Sequence, residues 1–150
     1  MDKIRLVEKL IVYGADMRGV HDRFMGDSAL YEKCFLGFLK EPNFDALERS
    51  MDAGDYVQAF EAAHALKGLS GNLGLIPFYD VLCKLVESLR MKALQNVEAE
   101  YADVVSAFHL LEAIVAPDAS DAGDGVAHAV DDSGVAVSNG NAGIAQVREE

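Results

Sequence analysis

Prolines are scarce in this 150-residue chain, three in all, and long apolar runs are missing. Nothing approaches the roughly 18 to 20 consecutive apolar residues of a membrane span, so no membrane segment is expected. The N-terminus, MDKIRLVEKLIVYG, interleaves charges with apolar residues and lacks the unbroken apolar stretch of an export signal. Only two cysteines are present, Cys34 and Cys83, too few for a disulfide framework or a cysteine-built zinc site. A cytoplasmic protein with reduced thiols is the expectation. Basic residues are also short: 13 Lys and Arg face 25 Asp and Glu, a formal charge of −12. Broad nucleic-acid binding needs clustered Lys and Arg, and this balance argues against it.

What is present suits one globular domain. Just over half the residues are apolar, 51%, and 25% are charged, enough for a single sizeable core. The negative charge is unevenly concentrated. Residues 1–116 carry 12 basic and 18 acidic side chains, whereas residues 117–150 carry one Arg and seven acids. That last stretch is rich in Ala, Gly, Asp, Ser and Asn and has no aromatic residue. Its isolated valines cannot assemble a core, so it reads as a flexible acidic tail following a domain of residues 1–116.

The first 116 residues read as successive amphipathic helices with short loops and no convincing strand. IRLVEKLIVY spaces Ile4, Val7, Leu10 and Ile11 helically, and ADMRGVHDRFMG is a shorter helix. SALYEKCFLGFLK starts at a good cap, Ser28, and groups Leu30, Cys34, Phe35, Phe38 and Leu39. After Pro42, Asn43 is the expected cap of a helix that stops at Gly54. Asp55 caps the next helix, which carries a histidine. Pro77 suits the first turn of the one after it. A final helix runs from about Val97 to Val115, with Tyr101, Val104, Val105, Phe108, Leu111 and Ile114 on its apolar stripe. Such a succession predicts an all-α antiparallel bundle.

The stretch HALKGLSGNLGL, residues 64–75, concentrates the chemistry. Each glycine inside a helix costs about 1 kcal/mol relative to alanine, yet glycines stand at 68, 71 and 74. On an ideal helix, Ala59, Ala62, Leu66, Leu69 and Leu73 gather opposite His64 and define the core face. Phe60, Lys67, Gly68, Gly71 and Leu75 fall within about 60° of His64. The glycines thus strip side chains from the surface beside the imidazole, so that a bulky partner can reach it. Lys67, three residues on, can bring its ammonium beside the ring. There it disfavours imidazolium and offsets the charge of a phosphoryl group. No second ligand lies at i+4 on this face, which speaks against a metal site. The bland alternative is a solvated histidine beside an ordinary helix C-cap.

These residues are similar to the histidine-phosphotransfer (HPt) domain family of two-component phosphorelays. The family pattern is a histidine, a lysine three residues on, a glycine directly after it, and a small-residue stretch ending near Asn-Leu-Gly. Here those are His64, Lys67, Gly68, Gly71 and the Asn72–Leu73–Gly74 turn. A following helix of Leu-x-x-Leu-x-Glu character is matched by Leu82, Leu85 and Glu87, and the resemblance covers about residues 16–115. It implies a four-helix bundle with accessory N-terminal helices. It also implies that His64 accepts a phosphoryl group from a receiver-domain phosphoaspartate and passes it to another receiver. The partners would be response-regulator receiver domains and a hybrid histidine kinase. The carrier itself would need no cofactor, the Mg²⁺ belonging to the receiver, and would act as a phosphocarrier and not as an enzyme. No P-loop or nucleotide-binding glycine loop is found.

Phe60 either rims the receiver-docking patch, with Gly68, Gly71 and Leu75, or tucks against a neighbouring helix. His109 with Glu112 is the nearest approach to a metal pair, and no metal site is expected; His21 and His128 are dispersed. Cys34 and Cys83 read as small core residues. Ser70 reads as a core-edge hydroxyl bonded to a backbone carbonyl, and Tyr79 as an ordinary boundary residue. The chain begins with Met1 and holds no receiver or kinase segment, so a free-standing, monomeric carrier is expected. Two other functions compete: an HPt-like module that binds receivers or kinases without carrying phosphate, and an enzyme on a bundle scaffold. The second lacks a further catalytic residue near His64.

Overall fold

The computed structural model describes residues 3–116, and no strand occurs among them. The α-helices are α1 (Lys3–Tyr13), α2 (Met17–Arg23), α3 (Ser28–Phe38), α4 (Pro42–Ala53), α5 (Tyr56–Asn72), α6 (Ile76–Met91) and α7 (Val97–Val115). A 3-10 turn at Leu94–Asn96 leads into the last. They make up one compact unit ending at Val115. The side chain of Ile4 and everything from residue 117 onward, the acidic stretch and His128 included, lie outside the described residues.

Local signals set the helix ends. The Asp55 carboxylate accepts the Gln58 N–H at 3.2 Å and opens α5. Gly54 closes α4 at φ +69°, in the left-handed region that suits glycine. Two starts differ from the sequence expectation. Asp27, not Ser28, caps α3, accepting the Leu30 N–H at 2.9 Å; a carboxylate also favours the positive helix end. Glu41, not Asn43, caps α4, because Pro42 fits the first helical position and moves the cap ahead of itself.

Helices α4, α5, α6 and α7 pack on one another in chain order. The rings of Phe44 in α4 and Phe108 in α7 stand 4.1 Å apart and join the ends of that series. Phe78 of α6 lies 6.0 Å from Phe44 and 5.9 Å from Phe38 of α3, tying α3 into the same aromatic cluster. Each fully buried Phe or Leu of this core contributes about 1.5–3 kcal/mol. Helix α1 packs on α2, α3 and α7.

Three apolar faces are rotated from where the sequence put them. In α1 the buried pair is Leu6 and Leu10, while Ile11 is 57% exposed. In α3 the aromatic stripe Tyr31, Phe35 and Phe38 takes the core and turns Leu30 and Cys34 outward. Cys34 is therefore a surface thiol and not a core residue. In α5 the buried set is Ala59, Ala62, Ala63, Leu66 and Ser70, and Leu69 is 39% exposed. Helix α5 lies between α4 and α6, and its small residues let both approach closely. A wheel weighted toward leucine misses that.

Candidate functional site

With α4 on one flank and α6 on the other, α5 presents its remaining face to solvent. His64 is exposed at the middle of that face. Its ring stacks on Phe60, one turn earlier, with centroids 5.5 Å apart and planes 18° from parallel. No described residue hydrogen-bonds the imidazole, so both ring nitrogens are open to an incoming group. Phe60 is half-buried and also rests on the core. It both leans on the interior and borders the histidine.

The three glycines of the motif play three parts. A Cβ at Gly68 would meet nothing within 4 Å. Here the missing side chain leaves the surface beside His64 clear. A Cβ at Gly71 would stand 3.1 and 3.2 Å from Cε1 and Cδ1 of Tyr79, so this glycine is a seat for an aromatic ring from α6. Gly74 is at φ +71°, and a Cβ there would come within 2.7 Å of Val20 Cγ2 and 3.0 Å of the Asp16 carbonyl oxygen. Its role is to turn the chain under α2.

That turn removes Leu75 from the surface. Leu75 is 0% exposed and precedes α6 as its N-cap. The expectation that it lines a docking patch is corrected: α5 ends at Asn72, and a helical wheel carried past a left-handed glycine assigns the wrong face.

The end of α5 is held from the N-terminal helices. Arg23 donates Nε to the Asn72 carbonyl at 3.0 Å and Nη2 to the Gly71 carbonyl at 3.3 Å. The Tyr31 hydroxyl donates to the Leu73 carbonyl at 2.7 Å. The Asp16 N–H donates to the Gly74 carbonyl at 2.8 Å. The carbonyls of Gly71, Asn72, Leu73 and Gly74 thereby gain donors from outside α5, at a terminus where intrahelical donors run short. Burial pushes the Tyr31 phenol above its ordinary value, and the nearby Arg23 guanidinium acts weakly in the opposite sense.

Lys67 is half-buried, and its Nζ lies over the Tyr79 ring, 6.0 Å from the centroid. The Cys83 thiol, one turn further along α6, pushes the Tyr79 phenol above its ordinary value, with Asp80 adding to it. Cys83 is thus a half-exposed partner of Tyr79 and not a core hydrophobe. Two residues of this face escaped the sequence reading. Tyr79 is the aromatic on α6 that the bare Gly71 admits. Val57, 69% exposed, lies within about 20° of the His64 direction on the wheel, two turns earlier. Extending the wheel one turn toward the N-terminus would have found it.

Elsewhere the polar residues are local. Ser70 Oγ donates to the Lys67 carbonyl at 3.0 Å, as expected for a core-edge hydroxyl. His109 and Glu112 form an exposed pair at 3.0 Å. Among the described residues no three His, Cys, Asp or Glu side chains gather to hold a metal ion, and no helix is long and apolar enough to cross a membrane.

A family model described as the Hpt domain matches residues 41–117. The chain belongs to the Hpt domain family. Its members carry phosphoryl groups on a histidine in two-component signalling, together with response-regulator receiver domains and histidine kinases. The match spans α4 to α7, and the three helices before it lie outside. It begins later than the resemblance read from the sequence, which opened near residue 16. No curated protein and no solved structure matches the chain.

Proposed function

We propose that this protein is a phosphorelay carrier in which His64 is the phosphoacceptor, α4 to α7 being the antiparallel four-helix bundle that presents it. The observation that carries this reading is an imidazole exposed on the matched segment, with no described hydrogen-bond partner and with a clear surface at Gly68 beside it. A histidine nucleophile needs an unprotonated ring nitrogen and an approach in line with the leaving group. In the transfer, that nitrogen forms a bond to the phosphorus of a receiver's aspartyl phosphate. The P–O bond to aspartate breaks, and the carboxylate leaves with the bonding pair. Return to a second receiver reverses these steps.

The charges divide accordingly. This face supplies one cation, Lys67, to a phosphoryl group of nearly two negative charges. The receiver contributes its acidic pocket and Mg²⁺, so the carrier needs no cofactor of its own. Phe60 and Gly68 form the docking surface around His64, with Val57 added and Leu75 removed, while Gly71 serves instead as the seat of the Tyr79 ring. The protein acts in the cytoplasm as a monomeric phosphocarrier. It takes the group from the receiver of a hybrid histidine kinase.

Incubation with receiver domains from the same source, each labelled on aspartate, tests this. The expected product is label on the chain that is lost in acid and kept in alkali, that moves to a second receiver, and that is absent from His64→Gln. ATP alone should give none. A His64→Gln chain that still relays phosphate would contradict the reading and leave a binding module in its place.

A further inference from the structure

We propose that Tyr79 is a positioning residue for Lys67: its ring holds the lysine ammonium on the α6 flank of His64, ready for a phosphoryl group there. This rests on the reading of His64 as the phosphoacceptor. Two observations carry it. The Lys67 Nζ lies 6.0 Å from the Tyr79 ring centroid, at the reach of a cation–π contact. The ring lies against α5 at Gly71, where a Cβ would come within 3.1 Å of it. The ring is therefore seated along one edge against α5, and a seated aromatic face is a defined resting place for a flexible ammonium.

The geometry separates two needs. On the wheel, Lys67 lies about 60° to one side of His64 and Gly68 about 40° to the other. Tyr79 belongs to α6, so the cation is kept to the α6 side while the Gly68 side stays open to a partner. A lysine with four rotatable bonds and no such support spends most of its time in solvent. A cation–π contact is weak enough that a dianionic phosphoryl group beside it can draw the ammonium away. The ring thus raises the local presence of the cation without trapping it.

The test measures transfer from a phosphorylated receiver that labels the wild-type chain, as a function of receiver concentration. Tyr79→Leu should lower the maximal transfer rate by about two- to five-fold, the span of an exposed cation–π contact. The half-saturating receiver concentration should stay unchanged. Tyr79→Phe should keep the wild-type rate, since the ring face remains. In a Lys67→Ala background, Tyr79→Leu should have no further effect, which a merely structural role would not produce. In the NMR spectrum, the Lys67 ε-methylene protons should be shifted upfield by the ring in wild type and Tyr79→Phe, and not in Tyr79→Leu. An unchanged rate in Tyr79→Leu, or an equal loss in the Lys67→Ala background, would overturn the proposal while leaving the carrier reading intact. Absence of label on the wild type from every receiver would instead overturn the carrier reading, and this proposal with it.

Discussion

The two ends of the HALKGLSGNLGL motif look alike in sequence and are built in opposite ways. Around His64 and Gly68 the surface is bare: no described hydrogen bond reaches the imidazole, and no atom would meet a Cβ at Gly68. Ten residues after His64, Gly74 is buried beneath α2, and the carbonyls of residues 71 to 74 are held by Arg23, Tyr31 and Asp16. The first end is left open on its Gly68 side; the second is closed by contacts from α2 and α3. The difference teaches that one residue type serves two purposes within a helix and its turn. A rigidly fixed terminus lets the exposed turn stay uncluttered without losing its place. The helices that do the fixing, α2 and α3, lie outside the segment matched to the family.

Substitutions should therefore act oppositely at the two ends. The largest effect is expected for Gly74→Ala. A non-glycine residue in the left-handed region costs about 1–2 kcal/mol, and crowding against Val20 adds about 1–3. A loss near 3 kcal/mol should appear in urea unfolding. Equal stability would mean that the turn is not tied as described.

Tyr31→Phe should cost about 2 kcal/mol by the same measurement, because the Leu73 carbonyl is left buried without a donor. The same tie gives a pH dependence. Burial holds the Tyr31 phenol above its ordinary 10.0, so the unfolded chain loses that proton first. The stabilisation is complete below pH 10 and is lost as pH rises beyond it. Wild type should fall in stability there more steeply than Tyr31→Phe.

Gly68→Ala reverses the sign. It should raise stability by up to about 1 kcal/mol, since nothing clashes and alanine favours the helix. The same methyl group should slow transfer from the receiver. A variant that is both more stable and fully active would show that the bare surface at Gly68 has no part in docking.

Much of this was legible in the sequence. Asp55, Gly54 and Pro77 mark their helix boundaries because caps act on the nearest few residues. The exposure of His64 followed from the 3.6-residue period. Leu75 was misread because the wheel assumes a helix that Gly74 has already ended. Leu69 was misread because packing of α4 and α6 on small residues, not hydrophobicity alone, orients α5. Tyr79 stayed hidden since its partners, Gly71 and Lys67, lie on another helix. Periodicity within one element carries no such information.

The chain has four histidines, and the carrier role of His64 requires that it, and not another, take the phosphoryl group. The most direct measurement is to load the chain from a phosphorylated receiver, digest it at alkaline pH and locate the phosphoryl group by mass spectrometry. Modification of the peptide containing His64, and of no other, is expected. A phosphoryl group on His21, His109 or His128, with His64 unmodified, would contradict it.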